Sequence, residues 1–263
     1  MILLKSAKEI KIMQEGGRKL AGVMEKILAK VKPGLKLKEI ERLTTQLIEK
    51  EGGKPSFKMV KDYHWTTCLN VNQGVVHGIP TDYHLKEGDL LSVDMGMFYQ
   101  GLHTDMSRTI CVRTQSSIPK ESRKTDKCKI QNEEFLEAGR RALAKAIRVA
   151  RPGNRLGHIS QVIETEIERN GFSPVRVLFG HGVGKKLHEE PAIPCYLDRR
   201  IETTEKLKSG MTLAIEVIYV QGKPELVIGK DGWTIETADG QLASLFENTM
   251  AITKKGPLVL TQI

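Results

Sequence analysis

Four acids stand where acids are costly. Asp94, Asp105, Glu216 and Glu247 each interrupt a run of strand-forming residues: Leu90-Leu-Ser-Val-Asp-Met, Leu102-His-Thr-Asp-Met-Ser-Arg-Thr-Ile-Cys-Val, Met211-Thr-Leu-Ala-Ile-Glu-Val-Ile-Tyr-Val and Ser244-Leu-Phe-Glu-Asn-Thr-Met-Ala-Ile-Thr. A carboxylate removed from water without a partner is strongly destabilised, so each of these needs a compensating group. A single case is explained by a strand turned edge-on to water or by a private arginine. Four cases in four strands are explained more economically by one shared partner.

The spacing supports sharing. Asp94 and Asp105 flank Tyr99-Gln100-Gly101-Leu102, which suits a hairpin turn. A two-residue turn at Gln100-Gly101 pairs residue 94 with 107 and leaves 105 two residues along, on the same face at diagonal range. Glu216 and Glu247 are expected to meet in the same manner in a second strand pair. His181, in Phe179-Gly-His-Gly-Val-Gly184, is a fifth donor, presented by glycines that let the backbone fold tightly.

Like charges raise one another's pKa, so four clustered carboxylates require cations; two divalent ions balance them. Hard oxygen donors with one imidazole suit Mn, Fe(II), Co or Zn better than a thiolate-seeking metal. Such a pair activates water and stabilises charge on a carbonyl oxygen, so the implied chemistry is hydrolysis. Two further histidines are read as hydrogen-bonding groups for substrate or intermediate: His77, in Val75-Val-His-Gly-Ile-Pro80 before the Asp94 strand, and His188, in Lys186-Leu-His-Glu-Glu-Pro191. His64, His84, His103 and His158 have no such context and receive no role.

The elements that must position these residues can be read from periodicity. Ser6-Ala-Lys-Glu9 is a capping box opening a helix that runs toward Lys32-Pro33-Gly34. Leu37, Ile40, Leu43 and Leu47 mark a second helix stopped by Gly52. A third is expected from an Asn132 cap to just before Pro152, and a fourth carries Leu156, Ile159, Ile163 and Ile167 up to Gly171. The second and fourth match at a shift of 119 residues through Pro33/Pro152, Gly34/Gly153, Leu37/Leu156, Ile40/Ile159, Ile48/Ile167, Glu49/Glu168 and Gly52/Gly171. This reads as an internal duplication: two α+β halves sharing one core. Between them, the polar stretch from Thr114 to Lys129 is expected to be a solvated surface loop, with a nucleic-acid contact as the alternative.

Composition narrows the class. The formal charge of +9 suits an anionic neighbour such as RNA, the ribosome or an acidic peptide, as well as a solvated lysine-rich surface. Aromatic residues make up only 5%, which argues against a base-stacking nucleic-acid binder. No apolar run approaches membrane-spanning length, and the N-terminus turns charged at Lys5, unlike a signal peptide. Cys68, Cys111, Cys128 and Cys195 form no CxxC pair, so free thiols in a reducing compartment are expected.

The motifs around these residues resemble those of the type I methionine aminopeptidases over nearly the whole chain. They are His77-Gly-Ile-Pro, Asp94 with Asp105, Gly180-His-Gly-Val-Gly with His188-Glu-Glu-Pro, Ile215-Glu216, Asp231-Gly-Trp-Thr and Glu247-Asn-Thr. The resemblance implies the α+β pita-bread fold, with two pseudo-symmetric halves around a central antiparallel sheet. It implies a single catalytic domain over residues 1–263, its halves about 1–113 and 131–263 joined by a polar loop at about 114–130. Asp94, Asp105, His181, Glu216 and Glu247 would bind two divalent metals, Glu216 doubling as general base. His77 and His188 would contact the substrate and stabilise the reacting peptide. The methionine pocket would be Tyr63, Cys68, His77 and Trp233, with Leu187 where an aromatic is common. The implied substrates are N-termini of nascent polypeptides with a small second residue. The implied setting is the cytoplasm, with the ribosome as a neighbour, no membrane, no sequence-specific nucleic acid and a monomeric protein.

Three departures bear on the substrate. Val217 replaces a usual proline, and Asn248 replaces a common histidine. The stretch Val93-Asp-Met-Gly-Met-Phe-Tyr-Gln-Gly101 followed by Thr104-Asp-Met-Ser-Arg-Thr109 is more similar to the Xaa-Pro peptidases of the same fold. Those enzymes normally carry an extra N-terminal domain. An Xaa-Pro aminopeptidase or dipeptidase is therefore the alternative activity, and a non-catalytic binding protein of this fold the alternative class.

Overall fold

The computed structural model describes residues 2–114 and 127–263, with the side chains of residues 127–131 outside that description. The first half opens with helices α1 (Ala7–Leu28) and α2 (Leu37–Lys50). Strands β1 (Lys54–Pro55), β2 (Thr67–Val71), β3 (Gly74–Val76), β4 (Leu90–Tyr99) and β5 (Leu102–Cys111) follow. The second half repeats the plan with α3 (Lys127–Val149) and α4 (Leu156–Arg169), then β6 (Ser173–Pro174), β7 (Phe179–Gly182), β8 (Glu189–Pro194) and β9 (Thr212–Val220). It closes with β10 (Leu226–Ile228), β11 (Ile235–Thr237), β12 (Ala243–Thr253) and β13 (Gly256–Val259).

Local chemistry explains the helix ends. Ser6 and Glu9 form the expected reciprocal capping box on α1. Helices α2 and α4 each span 14 residues, and the glycines before and after them (Gly34, Gly52, Gly153, Gly171) take the left-handed φ that a side chain would resist. The third helix departs from expectation. It begins at Lys127, so Asn132 is an interior, buried residue and not its cap; a cap preference is a weak local prior that tertiary burial overrides. The expected polar loop is correspondingly shorter at its C-terminal end, and its residues 115–126 lie outside the described residues.

Ten strands form one antiparallel sheet along the path β1-β4-β5-β12-β9-β7-β8, with β2 beside β4, β6 beside β9 and β13 beside β12. A smaller sheet runs β10-β11-β3. The helices cover one face. Leu91, Val93, Met95 and Met97 of β4 pack with Leu20, Met24, Ile27, Ile40 and Ile48 of α1 and α2. Leu213, Ile215, Val217 and Tyr219 of β9 pack with Ala142, Ile159, Ile163 and Ile167 of α3 and α4. Because side chains alternate along a strand, the even-numbered neighbours Asp94 and Glu216 point to the opposite face. Val217, where the motif usually has proline, thus belongs to the helix-side core.

Candidate active site

The Gln100-Gly101 turn forms as expected. Both residues have positive φ, 47° and 89°, which matches the right-handed twist of the paired strands. Tyr99 then faces Leu102, and Asp94 faces Ser107. From Asp94 a row continues across the sheet: Cys68 on one side, then Ser107, Glu247 and Glu216 on the other, each directly opposite the next. Residues opposite one another share a face, so this register alone gathers the acids. Asp105 lies two residues along from Ser107, diagonal to Asp94 as anticipated. Glu216 and Glu247 differ from expectation: they are directly opposed.

The joint between the halves is narrow. Strands β5 and β12 pair only at Glu247/Ser107 and Asn248/Met106. On one side the Thr249 hydroxyl accepts from the Asp105 N–H and donates to the Asp105 carbonyl, both at 2.8 Å. On the other, the Thr109 hydroxyl accepts from the Leu245 N–H at 3.0 Å and donates to its carbonyl at 2.8 Å. The two contacts exchange strand roles about a local two-fold that also relates Asp94 to Glu216 and Ser107 to Glu247. Asn248 points away from the site and accepts from Arg108 Nη2 at 2.7 Å, which accounts for an amide at that position.

His181 is placed by close backbone approach. It sits opposite Ala214, two residues from Glu216. A Cβ on Gly182 would stand 2.2 Å from the Glu190 carbonyl oxygen, so β8 can approach only glycine here. His181 Nδ1 donates to the Gly182 carbonyl at 2.8 Å, leaving Nε2 as the free lone pair, 3.6 Å from Glu216 Oε1. Burial, and then His188, hold the imidazole down at about 4, so it is neutral. A neutral ring with its far nitrogen anchored to a carbonyl is the form that ligates metals.

The carboxylates show the opposite response. Burial, then Asp105 and Glu216, push Asp94 well above the ordinary carboxylate range. Burial and then Asp105 do the same to Glu216, while burial brings Asp105 up to about 7. Glu247 is raised by burial and by the other three acids, against a smaller pull from Arg108. Asp94 Oδ1, Asp105 Oδ1 and Glu247 Oε1 are buried, and no hydrogen-bond donor among the described residues reaches them. Donor atoms of Asp105, His181 and Glu247 lie within 4.8 Å of one another. Acceptor-only oxygens with no donor, converging on an imidazole lone pair, fit hard divalent cations.

The four acids and His181 just described, together with His77, His188, Tyr63, Cys68 and Trp233, line one cavity of about 190 Å³. The His188 ring meets His181 edge-on, with centroids 4.5 Å apart. Burial lowers the pKa of both His77 and His188, with His188 adding to the effect on His77. Tyr63 donates to the Thr67 carbonyl at 2.9 Å and to Cys68 Sγ at 3.2 Å, and its ring stands T-shaped to Trp233 with centroids 5.2 Å apart. Asp231 holds the Trp233 turn by accepting both the Trp233 and Thr234 N–H groups.

Leu187 completes the apolar wall, as the resemblance implied, together with Phe57, Val60 and Val76, which sequence reading missed. Phe57 opens a single 3-10 turn (Phe57–Met59) that Val60 closes, too short a piece to show periodicity, so only Val76, adjacent to His77, carried a usable signal. His103, given no role, is buried outside the cavity, with Nδ1 2.9 Å from Ser56 Oγ.

Comparison with known proteins agrees in extent and in kind. Residues 11–254 match the profile of metallopeptidase family M24. A methionine aminopeptidase from Clostridium perfringens is 39% identical over 263 residues, with all of both chains covered. The crystal structure of methionine aminopeptidase from Thermotoga maritima superposes with a TM-score of 0.91 at 38% identity, again over 100% of each chain. A prolidase from Pyrococcus furiosus gives a TM-score of 0.74 at 23% identity, covering 99% of this chain but 65% of its own, a likeness of fold alone.

Proposed function

The chain belongs to metallopeptidase family M24, a pita-bread fold, and from that premise we propose that it removes the initiator methionine from new polypeptides whose second residue is small. The observation that carries this reading is the partnerless acid cluster opening directly onto an apolar, thiol- and aromatic-lined pocket. The full-length methionine aminopeptidase relatives support it.

Family membership implies divalent metal use. Asp94, Asp105, His181, Glu216 and Glu247 would hold two ions, their number set by the four acidic charges, with Mn, Fe(II), Co and Zn all compatible with the donor set. When bound, such ions would polarise the scissile carbonyl and lower the pKa of the attacking water. Glu216 acts as general base and carries the proton toward the leaving amine. His77 and His188, kept neutral by burial, donate N–H bonds to the substrate carbonyl and hold the peptide as charge develops on its oxygen. Tyr63, Cys68, Trp233 and Leu187 form a rigid, polarisable pocket suited to an unbranched thioether.

On this reading residues 1–263 are one catalytic domain that acts as a cytoplasmic monomer on nascent chains, with the basic surface facing the ribosome. No described helix is long and apolar enough to cross a membrane. The Xaa-Pro reading, which rests on the stretch from Val93 to Thr109 and on likeness of fold at 23% identity, is not favoured, because full-length relatives at 39% and 38% identity are methionine aminopeptidases. A side-by-side assay of Met-Ala-Ser and Ala-Pro peptides with Mn, Co, Fe(II) and Zn tests the assignment. Cleavage of Met-Ala-Ser that slows with a bulky second residue is expected; turnover of Ala-Pro alone would overturn it.

A further inference from the structure

The segment between β7 and β8 has no regular structure, yet it presents Leu187 and His188 to the cavity. Such a segment orders a side chain only where its backbone is tied down. Glu189, next to His188, accepts the Lys186 N–H on Oε1 at 3.1 Å and forms an ion pair with Lys5 through Oε2. The two side chains are 4% and 3% exposed, so both charges are out of water. Gly184 lies against the lysine stem: a Cβ there would stand 2.2 Å from Lys5 Cε. Its carbonyl accepts the His103 N–H at 2.7 Å, and its N–H donates to the Lys186 carbonyl at 3.0 Å. Lys5 is itself anchored, its N–H donating to the Gly210 carbonyl at 2.7 Å and its Nζ to the Leu3 carbonyl at 3.2 Å.

A buried ion pair contributes little net stability, since desolvation offsets most of the attraction, so stability alone does not account for one here. We infer that Lys5 is a positioning residue: its ammonium, buried against Glu189, holds residues 184–188 so that His188 and Leu187 face the bound N-terminal methionine. The inference rests on the proposed role of His188. Lys5 acts through that loop and does not line the cavity.

The test is a double-mutant cycle on the full chain with metal content measured throughout. Lys5→Met, and independently the isosteric Glu189→Gln, are expected to retain metal and to lose kcat by about 10–100-fold, as for other groups that orient a reacting one. In a His188→Ala background each should change kcat by no more than about twofold, because the path through His188 is already cut. Wild-type kcat in both single variants, or an equal loss in both backgrounds, overturns the inference. If Lys5→Met does not fold, Glu189→Gln carries the same comparison. Rates are taken on whichever peptide the wild type cleaves, so failure on Met-Ala-Ser tells against the function and not against Lys5. Amide exchange at residues 184–188 is a readout without turnover: it should quicken in both variants, and unchanged protection would equally overturn the inference.

Discussion

Glu247 and Glu166 are the same residue type, both buried, with opposite electrostatics. Glu166, on α4, accepts from Arg141 Nε at 2.8 Å and Lys145 Nζ at 2.5 Å across the α3–α4 contact. Burial pushes its carboxyl up, but those two cations outweigh it and hold the group below the ordinary range. Glu247 has a cation nearby too, yet Arg108 spends its Nη1 on the Glu247 carbonyl and its Nη2 on Asn248. The Glu247 carboxylate is left among three other acids and stays raised. A buried acid with private partners is a brace; buried acids that have only each other mark where a cation belongs.

The sharpest way to break this contrast is to neutralise one acid on each side. Asp94→Asn or Glu247→Gln should lower kcat/KM by about 10³-fold or more, the scale of losing a group that stabilises the transition state, while circular dichroism remains native. Glu166→Gln should leave turnover within about twofold. Comparable activity losses at Glu166 and Glu247 would erase the distinction.

Metal addition and pH probe the same difference through stability. An ion at about 100 times its Kd should stabilise the protein by about 2.7 kcal/mol, or about 5–10 °C in Tm for a chain of this size, with the shift largely abolished in Asp94→Asn. Without metal the sign follows from Asp105, whose carboxyl is brought up to about 7. Between the ordinary carboxylate range, near ~4, and that value the folded state holds more protons than the unfolded, so this group's contribution falls as pH rises. Metal-free Asp105→Asn should therefore gain stability over metal-free wild type from about pH 4 to about pH 7 in paired thermal melts. Glu166 behaves oppositely: its contribution is present above the ordinary carboxylate range and lost as pH falls through its lowered value.

The smallest effect is expected at the brace. Glu166→Gln should cost about 1–2 kcal/mol in urea unfolding, less than a fully buried pair, because Arg141 and Lys145 are about two-fifths exposed and partly resolvated.

The first strand pair was legible because its geometry is local. Gln100-Gly101 dictates the turn, the turn dictates that Asp94 faces Ser107, and strand alternation places Asp105 on the same face. The α2 and α4 boundaries were legible for a similar reason, since Pro-Gly turns and terminal glycines punctuate a 3.6-residue pattern. The direct opposition of Glu216 and Glu247 was not, because residues 221–242, including β10 and β11, separate those strands and no turn type sets the register. Nothing in sequence marked the Thr109 and Thr249 hydroxyls as clasps, as a threonine in a strand is ordinary until a neighbouring backbone lacks its partner. Asn132 misled because its local preference as a cap was overridden by burial within α3.

The amino-acid sequence by itself determined which side chains share a face, which acids lack local partners, and therefore that the chain needs a cation to be electrostatically complete. These are consequences of two- and 3.6-residue periods and of turns closed by adjacent residues. Only the tertiary structure decided that β5 meets β12 at two paired positions, that Lys5 reaches Glu189 across 184 residues, and that Phe57, Val60 and Val76 close the pocket. Those contacts depend on how helices and sheet settle against one another to exclude water, and that packing energy is spread over the whole core.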